Sequence, residues 1–161
     1  MPVVPEQQWI TAALVAETRA RAAASPRLRA NHNFHAGPAD NPHRFLNAMM
    51  RGTYCQPHRH ITPPKSESWI LLEGAVRFFT FDDSGAILTA RDLAANSPTF
   101  GIDLPAGVWH TLCVISECAV VFEIKPGPWD PATDKDFASW APPEGSPDAP
   151  AYLQALLTRR P

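Results

Sequence analysis

Proline restricts this chain more than any other residue. Eighteen of 161 residues are proline, roughly twice the usual share of about 5%. Each one removes a backbone N–H and fixes φ, so long helices cannot be the main theme. The prolines gather in turns and in the C-terminal third. The clearest helical stretch is residues 5–24, "PEQQWITAALVAETRARAAA", which is rich in alanine and has no Gly or Pro after Pro5. Pro5 suits a first helical turn, Glu17 and Arg21 stand at i,i+4, and Ser25-Pro26 ends the run. A helix packed on the outside of a larger body is expected there.

From about residue 30 to 125 the texture is one of short β-branched and aromatic runs: 44–49, 68–73, 76–81, 86–91, 108–115 and 119–125. Each has the length and composition of a strand. Asp83-Ser84-Gly85 reads as a hairpin turn and Glu73-Gly74 as a second tight connection. Many short strands without helices between them predict an all-β antiparallel sandwich or barrel. After Lys125 the sequence turns to loop chemistry, with a short helix expected around 134–140. Trp129, Phe137 and Trp140 predict that this segment packs on the barrel. "AYLQALLTRR" predicts a closing helix, with Asp148 as its cap and basic residues in its last turn.

The charge balance is 14 basic against 16 acidic residues, a net of -2. That supplies neither the basic footprint of a nucleic-acid binder nor a polybasic membrane patch. No apolar stretch approaches the roughly 20 residues of a membrane span. Glu6 and Glu17 around "WITAALVA" argue against a secretory leader. Cys55, Cys113 and Cys118 are odd in number and form no CxxC, so reduced thiols in a cytoplasmic protein are expected.

The chemistry concentrates in "PHRHITPPKSESWILLEG" (57–74). On a strand, i and i+2 share a face, so His58 and His60 project together. Imidazole and carboxylate together suit Zn, Fe, Ni and Mn. A Pro-x-Gly turn, Pro105 and Gly107, delivers His110 onto the next strand, and Glu67 opens the run that ends at Gly74.

These spacings resemble the cupin superfamily. Its first motif runs G-x5-H-x-H-x3or4-E-x6-G, and this chain has Gly52, His58, His60, Glu67 and Gly74. Its second runs G-x5-P-x-G-x2-H-x3-N, and this chain has Pro105, Gly107 and His110. Six residues separate His60 from Glu67, only three separate Gly101 from Pro105, and Val114 replaces the final Asn. Five segments, "ASPRLRANHNFH", "RFLNAM", "PHRHITPPKSE", "GIDLPAGVWHTL" and "EIKPGPWDP", resemble the WbuC family of cupin-fold metalloproteins over about residues 25–140. The resemblance implies a single cupin jelly roll over residues 1–161. It would have a helical extension over 1–28, a barrel over 30–125 and a C-terminal wrap with a helix over 126–161. It also implies one divalent transition metal (Fe, Zn, Ni or Mn) held by His58, His60, Glu67 and His110, and a link to bacterial polysaccharide metabolism.

Other polar residues have two readings each. Lys65 is a candidate catalytic acid/base or anion holder, or else a solvated loop lysine. His35 is a substrate contact or an ordinary strand edge. Arg44 is a bidentate anion contact or half of a surface ion pair. Glu123 and Lys125, at period two, point inward or pair across the sheet. Trp109 should face away from His110, into the core. The expected function is an enzyme on a small polar ligand such as a sugar or sugar nucleotide, isomerase- or epimerase-like. The alternatives are a metal-dependent dioxygenase and a metal-containing binding protein without turnover. Exposed edges and an apolar sandwich face are compatible with a homodimer without fixing one, and no nucleic-acid or membrane partner is expected.

Overall fold

The structure, a computed structural model, describes residues 7–159. Its elements run α1 (Ala12–Ala24), β1 (Arg29–Asn33), β2 (His43–Met50), β3 (His58–Arg59), β4 (Glu67–Phe81), β5 (Ile87–Ala94), β6 (Gly101–Leu104), β7 (Trp109–Lys125), β8 (Asp136–Phe137) and α2 (Ala149–Leu157). All strand pairings are antiparallel, and the eight strands form one curled sheet. The architecture is a jelly roll, the all-β class expected from the sequence.

Two long strands close the roll. β7 pairs with β2 and the first half of β4 through 118–125, and with the second half of β4 through 109–114. β4 in turn takes β6 on its first half and β5 on its second. Four of the six runs expected as separate strands are therefore halves of two. Glu73-Gly74 is not a turn: the register shifts there and β4 continues. Gly74 has φ +74°, and a Cβ on it would lie 1.9 Å from the Cys118 carbonyl oxygen. The bend needs a glycine because the neighbouring strand comes too close for any side chain. The 82–86 hairpin does form, with the Asp82 carboxylate accepting from the Ser84 and Ala86 N–H groups.

α1 begins at Ala12, later than expected, because the Thr11 hydroxyl accepts from the Leu14 N–H and caps it there. Pro5 and Glu6 lie outside the described residues. The helix pairs Arg19 with Glu73 on β4. Residues 134–140 are not helical; β8 there pairs with β3, His58 against Phe137 and Arg59 against Asp136. β3 has an open edge, and strand pairing satisfies it in place of local helix bonds. Asp148 stands at the N-cap of α2 without a side-chain bond, and the last turn holds no basic residue; Arg160 lies outside the described residues.

Strand alternation divides the core. Trp69, Leu71, Val76, Phe78, Leu112 and Val121 fill the inside of the roll. Phe79, Phe81, Trp109 and Cys113 face out and are covered by Ala138, Ala141 and α2. Leu46, Ala48 and Val120 pack under Ala22 of α1. Burying each of these large side chains contributes about 2 kcal/mol. Among the described residues no helix is long and apolar enough to cross a membrane.

Candidate metal centre

β3 and the start of β7 are paired at His58 and His110, so two imidazoles stand side by side with ring centres 4.5 Å apart. His60 follows β3, and its carbonyl accepts from the Gly107 N–H at 3.2 Å, which ties the two histidine-bearing turns together. One ring nitrogen from each of His58, His60 and His110 falls within 4.8 Å of the others. Glu67, the first residue of β4, brings Oε1 to 2.9 Å from His60 Nε2 and Oε2 to 3.2 Å from His110 Nε2. All four side chains are buried.

Hydrogen bonds behind the rings set their chemistry. His58 Nδ1 donates to the Gln56 carbonyl and His110 Nδ1 to the Val108 carbonyl, each at 2.9 Å. His60 Nδ1 donates to the Asp134 carbonyl. A carbonyl only accepts, so Nδ1 carries a proton in each ring and Nε2 is the nitrogen left to face the centre. Burial, with Lys135 and His110 nearby, lowers His58 well below the ordinary imidazole range. His60 Nε2, His110 Nε2 and Glu67 Oε2 are buried without a hydrogen-bond partner. Lone pairs facing one another in a buried site call for a cation between them. Three imidazole nitrogens and a carboxylate oxygen are a donor set that Zn, Fe, Ni or Mn accepts. The residues therefore fit a divalent metal.

A buried ion network backs the cluster. Asp134 accepts from Lys65 Nζ at 2.7 Å and from Lys125 Nζ at 2.8 Å. Lys125 Nζ also lies 3.9 Å from Glu67 Oε1. Burial works against ionised Asp134, but the two lysines outweigh it and keep its carboxyl low. Asp134 thus orients His60 through its backbone and pairs with two lysines through its side chain.

A cavity of about 770 Å³ opens onto His58 and Glu67. Its wall carries Glu123, Lys125, Asn47, Phe45, Met49 and Trp69. Burial first, and the Glu67 charge second, push the Glu123 carboxyl up to about 8.

The candidates named from sequence separate here. His58, His60, Glu67 and His110 come together. Glu123 lines the cavity, and so does His35, stacked on His43 at 4.0 Å. Arg44 does not: the period of two in β2 turns His43, Phe45 and Asn47 to the cavity and leaves Arg44 exposed on the other side. Lys65 does not line the cavity either. β4 starts at Glu67, so Lys65 stays in the preceding loop, where its ammonium is taken by Asp134 and by the Pro128 carbonyl at 2.6 Å. Lys125 holds the position nearest the carboxylate, and its two-residue spacing from Glu123 was the available signal. Asp134 had none, since it sits in the proline-rich wrap more than 70 residues from His60.

Residues 10–93 match the profile of the domain of unknown function DUF6016. No curated protein matches the chain. The L-ribose isomerase of Cellulomonas parahominis, solved with L-psicose, is 17% identical, with a TM-score of 0.55 over 70% of each chain. The capsular polysaccharide assembling protein CapF of Staphylococcus aureus is also 17% identical, with a TM-score of 0.55 over 70% of this chain and 32% of its own. A mutant of Bacillus subtilis oxalate decarboxylase OxdC is 15% identical, with a TM-score of 0.52 over 69% of this chain and 28% of its own. Likeness at this level is a likeness of fold: these are cupin jelly rolls, and so is this chain. With just over half of its length matched by the profile, the chain belongs to the DUF6016 family.

Proposed function

We propose that this protein is a metal-dependent cupin enzyme that moves a proton on a small polyhydroxylated substrate, a sugar or sugar nucleotide, as an isomerase or epimerase does. One observation carries this: three imidazoles and Glu67 converge in a cluster whose His58 and Glu67 open onto a cavity, and the wall of that cavity also holds a carboxyl and an ammonium. A bound divalent metal would supply Lewis-acid polarisation of a substrate oxygen. His58, His60, Glu67 and His110 would hold it. Glu123 takes the role of proton carrier, and Lys125 takes the place that the sequence suggested for Lys65. Lys125, anchored by Asp134, holds the charge of Glu67 and steers a substrate oxygen. The motif likeness to the WbuC family supports a link to bacterial polysaccharide metabolism. A wholly apolar cavity would favour dioxygenation, and this wall is mixed.

Elemental analysis tests the centre. About one metal per chain is expected, lost in a His58→Ala/His110→Ala variant that keeps its far-UV circular dichroism. A protein that takes up no metal even after reconstitution would sink the proposal. Turnover is tested by incubating the metal-loaded protein with aldoses and a nucleotide sugar in D2O. Deuterium should enter a carbon–hydrogen bond, and Glu123→Gln should slow it roughly 10²–10⁴-fold. Oxygen consumption with iron, or binding without exchange, would replace this reading with a dioxygenase or a binding protein.

A further inference from the structure

Register aligns Phe45, Glu123 and Trp69 across β2, β7 and β4. Asn47, one step along the same face of β2, donates from Nδ2 to Glu123 Oε2 at 3.4 Å. All four side chains line the cavity. Two polar atoms among them are buried and unpartnered: the acceptor Asn47 Oδ1 and the donor Trp69 Nε1–H. Trp69 is only 7% exposed and Glu123 only 5%. Buried polar groups are almost always satisfied, so two orphans beside one carboxyl point to a ligand that supplies their partners.

Donor and acceptor inventories then select the ligand class. A hydroxyl both donates and accepts, so a ring with several hydroxyls satisfies Trp69 Nε1–H, Asn47 Oδ1 and Glu123 together. Glu123 accepts from a hydroxyl whether or not it carries a proton. A carboxylate only accepts: it would satisfy Trp69 but set acceptor against acceptor at Asn47. From β2 to β4 the wall spans two strand spacings, roughly 10 Å, wider than a two-carbon diacid and matched to a ring with its substituents. Trp129 and Phe137, 43% and 52% exposed, line the same cavity. Exposed aromatic faces at a cavity mark a ligand surface and suit the apolar face of a sugar ring.

We infer that Asn47, Glu123 and Trp69 form a hydroxyl-reading subsite, with Trp129 and Phe137 as stacking faces, that takes a sugar ring and rejects small dicarboxylates. The inference deepens the function proposed above and rests on it only for where the reacting end of the ligand lies.

The test is the indole N–H resonance of Trp69 in full-length ¹⁵N-labelled protein, both zinc-loaded and metal-free. The chain has five tryptophans, and Trp69→Phe identifies the resonance by deleting it. D-glucose, D-ribose and UDP-glucose are titrated, and oxalate separately. At least one of the three sugar probes should shift the Trp69 resonance saturably, and oxalate should leave it in place. Asn47→Leu, close in shape, should weaken the shifting sugar about tenfold, read on the same resonance even if Trp69→Phe folds poorly. An unmoved Trp69 resonance with all three sugars, or a shift with oxalate, overturns the subsite. A sugar-induced shift without deuterium exchange overturns only the enzymatic reading, and exchange with an unmoved resonance overturns only the subsite.

Discussion

Asp134 holds the site together from behind the four candidate ligands. Its carboxylate is shared by Lys65 and Lys125, and its carbonyl fixes the tautomer of His60. Removing one member of a buried ion network leaves the others unpaired, at a cost of about 3–5 kcal/mol. Asp134→Ala should lose that much in urea unfolding, and it should also weaken metal uptake because His60 loses its orienting segment. Lys65→Met should cost clearly less, since Asp134 keeps Lys125. Equal losses for the two variants would mean that Asp134 does not anchor both lysines. The sequence offered both lysines as candidates, Lys65 ahead of a strand and Lys125 at period two from Glu123, and only their shared partner Asp134 separates their roles.

Elements are shaped by two backbone positions and one ion cluster. Gly74 bends β4 against the Cys118 carbonyl, so Gly74→Ala should destabilise by about 3 kcal/mol or more. Gly107 also has positive φ, +82°, but its nearest neighbour is 3.7 Å away, so Gly107→Ala should cost only about 1 kcal/mol. Unfolding midpoints compare the two directly. The C-terminal segment is tied to β1 and the turn before it by Glu144, bonded to Arg27 at 2.7 and 2.9 Å and also to Arg29. Burial works against ionised Glu144, but the two arginines bring its carboxyl down to about 2. A carboxyl lowered in the folded state stabilises at pH above its unfolded value, near 4.5, and loses that stabilisation as pH falls toward 2. Glu144 is partly exposed, so the effect should be about 1 kcal/mol. Glu144→Gln should flatten stability between about pH 5 and pH 2, and an unchanged profile would show that the tie contributes nothing.

At the scale of the whole molecule, the candidate metal ligands come from three strands and the loop after β3, so a bound ion would link parts of the roll far apart in sequence. A metal held at roughly 100 times its Kd stabilises by about 2.7 kcal/mol. For a chain of this size that raises the thermal midpoint by roughly 5–10 °C, and a chelator should reverse it. Much of this arrangement was legible beforehand. His58 and His60 at strand spacing, the Pro105–Gly107 turn before His110, and the alternation of apolar residues are local patterns, and local stereochemistry carries them into the fold unchanged. The antiparallel all-β class and the shared face of His58 and His60 therefore follow from local pattern, and the jelly roll and the grouping with His110 follow from the family resemblance that the motifs carry. Three matters belonged to the tertiary structure. Gly74 was a bend and not a turn because the Cys118 carbonyl lies against it. Arg44 and Lys65 left the cavity because strand phase and strand start depend on pairing partners. Asp134 entered the site because the C-terminal segment folds back over β3. Each depends on atoms distant in sequence, and contacts of that kind exist only once the chain has closed on itself.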